Sequence, residues 1–190
     1  MTSRGVWWWR RAVAVGAGVL TLATAGCVGS IDRNEFQAEV NARGGGLSGD
    51  QLVDFVADVE ERTGAPGLLI RSASLGHMLV SLEVSDPARP EEVDRWSWSS
   101  GNVSGPTPAS NLGPEELDRA FTAERLDATA IEGAIDSALE RSDIRDPWAS
   151  FVSFVAQPGD SFVATVSLTN EREDELWSFG PDGVLVGGES

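Results

Sequence analysis

DRWSWSSGNVSG, residues 94–105, and DELWSFGPDGVLVG, residues 174–187, are two versions of one pattern. Trp96-Ser97-Trp98 in the first stands where Trp177-Ser178-Phe179 stands in the second, 81 residues further on. A turn rich in glycine or asparagine follows in each, and then a valine, Val103 or Val184. Aromatics two apart, with a small polar residue between them, put both aromatics on one face of a strand. The turn after them suggests a bend or a hairpin.

The correspondence extends backward. HMLVSLEVSD, beginning at His77, matches SFVATVSLTN, beginning at Ser161. Met78, Val80, Leu82 and Val84 share one strand face, and Phe162, Ala164, Val166 and Leu168 share another. The offset here is 84, so the first half carries a loop three residues longer, DPARPEEVDR, whose two prolines break the strand. Further back lie two helical patterns. Leu52, Phe55, Val56 and Val59 recur at helical spacing, as do Ile131, Ala134, Ile135, Ala138 and Leu139. Ser48 and Asp127 are the expected N-caps, and Gly64 is a stop signal. One more apolar segment follows each helix, GLLIRSASL and WASFVSFVA.

The order helix, strand, strand, strand thus occurs twice, with offset changes confined to loops. The expected fold is α+β: two tandem helix–strand–strand–strand units, each a helix packed on a small antiparallel sheet. The first module spans 35–98 and the second 114–190. Residues 99–113 read as an interdomain linker, being rich in Ser, Gly, Pro and Asn. RNEFQAEVNAR and PEELDRAFTAERL, ahead of the main helices, suit either a short helix or an edge strand.

At the amino end, LTLATAGCVGS (20–30) holds the only cysteine of 190 residues. Arg4, Arg10 and Arg11 precede an uncharged run from Ala12 to Gly26. A basic start, a short apolar run and small residues at its end describe a secretory signal over 1–26. As a helix the run would rise about 22 Å, short of the roughly 30 Å hydrocarbon core. Trp7, Trp8 and Trp9 suit the headgroup level. ATAGC resembles a bacterial lipobox, in which small residues precede a cysteine that is diacylglycerated and becomes the first residue after cleavage. Ala25, Gly26 and Cys27 match; Thr24 stands where leucine is commonest. The resemblance implies a palmitate-type lipid on Cys27, a tether over 27–34 and anchoring at the outer face of the cytoplasmic membrane. Two or three acyl chains make such an anchor firm. The plainer alternative is a secreted protein in which Cys27 is a free thiol, which an oxidising compartment disfavours.

Beyond residue 26 the chain has eleven arginines, no lysine and thirty acids, a net charge of −19. That balance excludes nucleic acid as a partner, because phosphates require cationic clusters. It also keeps the body off anionic lipid. Arginine as the sole basic residue fits high-GC codon usage and an actinobacterial source.

From residue 35 to 187 the element order, together with the W-x-F-x-x-x-G-V ending at Trp177, resembles PepSY-like and beta-lactamase-inhibitor-like modules of bacterial envelope lipoproteins. The resemblance implies a helix on one face of a small antiparallel sheet, often in tandem. It implies roles in binding, inhibition of hydrolases or accessory work in the envelope, and no general catalytic residues.

The residues themselves offer little chemistry. His77 is the only histidine and falls in an expected turn. No G-x-S-x-G elbow occurs. With one cysteine and one histidine, neither a metal nor another cofactor is expected. RGGGLSG (43–49) lacks the Lys-Ser/Thr ending of a phosphate loop. Asp50, Asp54, Asp58 and Glu61 spread along a helix face rather than converge as calcium ligands do. NEREDE (170–175) crowds acids into an expected hairpin loop, a solvated loop or a contact for a basic partner. Trp96, Trp98, Trp177 and Phe179 are the candidate partner-binding side chains. They either form core beneath the helix or line the open sheet face, with Ser97 and Ser178 then turned inward. Trp148 carries the same ambiguity. The expected function is a lipid-anchored binding or accessory protein without catalysis, whose partner is an envelope protein or small ligand. The alternatives are a carboxylate-based envelope hydrolase and a structural spacer.

Overall fold

A computed structural model describes residues 47–189. Cys27, the leader, the tether and RNEFQAEVNAR lie outside the described residues. The fold is α+β, with two helices and an eight-stranded antiparallel sheet. Helix α1 (Gly49–Thr63) precedes strands β1 (Leu69–Gly76), β2 (Leu79–Ser85), β3 (Glu92–Ser99) and β4 (Asn102–Asn111). Helix α2 (Ala128–Arg141) precedes β5 (Trp148–Gln157), β6 (Ser161–Thr169), β7 (Asp174–Phe179) and β8 (Leu185–Glu189).

Two small sheets were expected, and the structure has one. Its strand order is β4-β3-β2-β1-β5-β6-β7-β8, so the first strands of the two halves meet in the middle. Ser72 opposite Val155 through Gly76 opposite Phe151 form this seam. The boundary drawn at 98, with a linker over 99–113, is therefore wrong. Most of that segment is β4, paired along β3 from Glu92–Asn111 to Ser99–Asn102. Its Gly and Pro content misled the reading because an edge strand tolerates both: one side of its ladder faces no neighbour, and bulges absorb what the other side cannot pair. Two register shifts between β3 and β4 do this around Pro106 and Pro108. Each helix thus precedes four strands, not three.

Both helices bury one stripe against one sheet face. Leu52, Phe55, Val56 and Val59 from α1 are buried, as are Ile131, Ala134, Ile135 and Ala138 from α2. They meet Val80, Leu82 and Val84 of β2 and Phe162, Ala164, Val166 and Leu168 of β6 in a single core. Met78, expected on the same face, sits in the β1–β2 turn at 68 % exposure. Asp127 caps α2 as expected, its carboxylate accepting from the Thr129 and Ala130 amides. Ser48 holds the N-cap position of α1 without a side-chain bond. Gly64 ends that helix in the left-handed region at φ 65°. The helices touch at their first residues: a Cβ on Gly49 would lie 2.5 Å from the Ala128 carbonyl oxygen. Only glycine admits that approach, because the obstacle is backbone and cannot swing away.

The chain between β4 and α2 carries two short 3-10 turns, Pro114–Glu116 and Ala123–Arg125. It is clamped at three points. Phe121 and Ile70 exchange both backbone hydrogen bonds, and the Phe121 ring meets that of Phe162 at a tilt of 52° with centroids 4.8 Å apart. Arg71, at a bulge in β1, is buried and donates to the carbonyls of Arg119 (2.8 Å), Leu117 (3.1 Å) and Pro90 (3.0 Å). No carboxylate among the described residues pairs with it, and burial lowers its pKa. Asp160, in the β5–β6 turn, accepts from the Thr122 amide (2.9 Å) and from Arg125 Nε (2.8 Å).

The hydrogen bond from Arg125, ahead of that from Thr122, holds the Asp160 carboxyl below its ordinary value. A depressed folded-state pKa stabilises above the unfolded pKa of about 3.9, and the stabilisation disappears as pH falls through the folded value. Asp160→Asn is therefore expected to cost up to about 1 kcal/mol at neutral pH, the pair being half-exposed. In urea unfolding as a function of pH, that difference should shrink below about pH 4. A difference constant with pH would contradict the clamp.

Candidate functional site

The two faces of the sheet differ in kind. On the helix face, alternation brings Trp96 opposite Leu82, Trp98 opposite Val80, Trp177 opposite Val166 and Phe179 opposite Ala164. Trp96 and Phe179 belong to the core, and Trp98 and Trp177 pack half-buried at its edge. These four candidates therefore do not form an exposed platform. Each edge strand makes room for an indole with a glycine. A Cβ on Gly105 would lie 2.9 Å from the Trp96 ring, and one on Gly188 would lie 2.8 Å from the Trp177 ring. The Trp177 indole donates to Glu175 Oε2 at 3.1 Å. Glu175, read as part of an acidic loop, is instead the first buried residue of β7, while Glu171, Glu173 and Asp174 remain exposed.

On the opposite face neither helix packs, and the residues there form rows across the strands. One row runs Ser104, Ser97, Ser81, Ser74, Ser153, Thr165, Ser178 and Gly187, one residue from each strand in sheet order. Seven consecutive hydroxyls span about 29 Å at the ordinary strand spacing. Ser74 and Ser81 are joined Oγ to Oγ at 2.8 Å, Ser97 and Ser104 at 2.8 Å, and Thr165 with Ser178 at 3.2 Å. Apolar residues flank the row. Leu79, Phe151 and Leu176 lie on one side and Val155 on the other, between 40 % and 52 % exposed. Gly76, between Leu79 and Phe151, leaves a notch there. Of the seven large apolar residues exposed among the described ones, these four lie on this face. Met78 and Val184 lie in turns, and Val186 lies at the register shift of the edge strand β8.

Charge is scarce on this face. Glu83 accepts from Arg95 Nη2 at 2.6 Å and from Ser72 Oγ at 3.0 Å, which leaves the pair neutral. Asp50, Asp54, Asp58 and Glu61 are exposed along α1, away from it. His77 is exposed in the β1–β2 turn, 6.3 Å from the Trp148 ring. Trp148 is half-buried, and its indole nitrogen has no hydrogen-bond partner among the described residues. Among the described residues no cluster of His, Cys, Asp and Glu is arranged to hold a metal, and no helix is long and apolar enough to cross a membrane. Sequence reasoning missed Leu79, Phe151, Val155 and Leu176. Their signal was the serines alternating with core residues in each strand, but a row becomes visible only once the strand pairing is known.

No family model, curated protein or solved structure matches this chain.

The division between faces is measurable. Phe179→Ala should cost about 3–5 kcal/mol, as a fully buried aromatic does. Phe151→Ser should stay within about 0.5 kcal/mol, as exposed positions do. Urea unfolding of both variants checks this. Equal costs would contradict the assignment of faces.

Proposed function

We propose that this is a lipid-anchored, extracytoplasmic binding protein of a bacterial envelope, without catalytic activity, that holds a protein partner on the open face of its sheet. One observation carries the reading. Among the described residues, an acidic chain places four of its seven exposed large apolar side chains on the sheet face that neither α1 nor α2 covers. An apolar patch with polar surroundings is the ordinary character of an interaction surface. Small hydroxyls let a flat partner approach closely, and Leu79, Phe151 and Val155 stand above them as anchors. The acids lie off the centre, as at Glu171, Glu173 and Asp174, so the fitting partner is neutral at its middle with a basic rim, steered by charge. The anchor rests on the lipobox-like ATAGC and on Cys27, and attaches the body to the membrane through acyl chains.

We also infer that the fold descends from tandem copies of one helix–four-strand unit, related to the PepSY-like and inhibitor-like modules. Three features support this: the mirrored strand order, the helices meeting at their first residues, and the glycine over an indole in each half. The hydrolase reading needs two acids at one cleft, one of them kept protonated. Asp86 and Asp94 do share a cavity, but Arg62 and Arg89 line it too, and Arg89 contacts Asp86 at 3.8 Å.

Cys27→Ala should move the protein from the membrane fraction to the soluble one. Persistence in the membrane, or an unmodified mature amino terminus by mass spectrometry, would contradict the anchor. A photo-crosslinking residue at Phe151 should trap a discrete protein, and the same group at Asp58 on α1 should not. Val155→Glu should abolish trapping from Phe151 with melting temperature unchanged. Equal trapping from both faces, or none, would contradict the surface.

A further inference from the structure

On the helix side, beyond the Gly64 end of α1, a cavity of about 220 Å³ opens between that helix, β2 and β3. Arg62, Arg89, Asp86 and Asp94 line it, with Trp96 and Pro106 among its walls. Two cations and two anions make the lining formally neutral, in a chain with more than twice as many acids as arginines. Arg89 is occupied: it contacts Asp86 at 3.8 Å and pairs with Glu92. Arg62 and Asp94 make no ion pair or side-chain hydrogen bond among the described residues. The cavity therefore presents one unengaged guanidinium, one unengaged carboxylate and an indole.

We propose that this cavity binds a small zwitterion of the α-amino acid class. A simple anion would meet the carboxylates of Asp86 and Asp94, and a simple cation would meet two guanidiniums. A ligand carrying both charges satisfies both. Its carboxylate goes to Arg62, whose planar fork suits that group. Its ammonium goes to Asp94, two residues before Trp96 in β3. Leu68, Val84 and Ala65 line the remainder and receive a short apolar side chain. The volume admits one such molecule and not a folded peptide. This site lies on the opposite side of the sheet from Phe151 and Val155 and is independent of the docking reading.

Isothermal titration of the protein with L-alanine, L-valine and L-leucine tests it, with N-acetyl-L-valine and L-valinamide as probes lacking one charge each. At least one free amino acid should give saturable heat, and each capped derivative should bind about tenfold more weakly, the cost of one charge-assisted hydrogen bond. Arg62→Gln and Asp94→Asn, both without partners to lose, should each weaken binding by about tenfold while circular dichroism and melting temperature stay as in the parent. Val155→Glu should leave binding unchanged. The proposal is overturned if no free amino acid binds up to about 10 mM, a concentration that detects even the weakest specific sites. It is equally overturned if the capped derivatives bind as well, or if both variants bind like the parent.

Discussion

The seam between β1 and β5 is the constraint from which the rest of the molecule follows. Backbone hydrogen bonds from Ser72–Val155 to Gly76–Phe151 join strands from the two halves of the chain, and they make one sheet of what would otherwise be two. A four-stranded sheet with a single helix over it has little to bury. Joined at the seam, the halves share a core in which Ala73, Leu75, Val152 and Phe154 interlock beneath both helices. The close approach of Gly49 to Ala128 repeats the junction in the helix layer. Long-range pairing of this kind is expensive in loop entropy. The connection that spans it is accordingly held by the Phe121 bridge, by Asp160 and by Arg71.

Arg71 is an unusual clamp. A buried guanidinium is normally answered by a carboxylate, and here neutral carbonyls answer it. The geometry explains why it serves. Five N–H donors in a rigid fork reach several backbone oxygens of a segment that pairs with its surroundings only through isolated bridges at Arg119 and Phe121. Without it the part-buried carbonyls of Leu117 and Arg119 would lose this donor, which is costly.

Local structure was legible in the chain; partnership was not. The period-two runs at Val80–Val84 and Phe162–Leu168 and the helical stripes at Leu52–Val59 and Ile131–Ala138 emerged where expected, because side-chain periodicity is a local property. β4 was hidden because Gly105, Pro106 and Pro108 read as coil, and only β3 beside them makes a strand of them. The spacing of Trp96 and Trp98 correctly put them on one face but could not say which face the helix would take. Which of the two is covered depends on the crossing direction of the chain. The candidate surface was illegible for the same reason: its serines are scattered over a hundred residues and become a row only through register.

The sheet is covered on one side by α1 and α2 and on the other by neither, and the proposed docking surface rests on that asymmetry. The most direct test of the seam is native-state hydrogen exchange on Phe154→Leu, a change expected to cost about 1–2 kcal/mol. Amides of Leu82, in the first half, and of Leu168, in the second, should lose the same opening free energy as the parent molecule is weakened, because both open only when the whole sheet opens. If Leu168 were weakened and Leu82 kept its protection, the halves would be independent bodies and the account would fail.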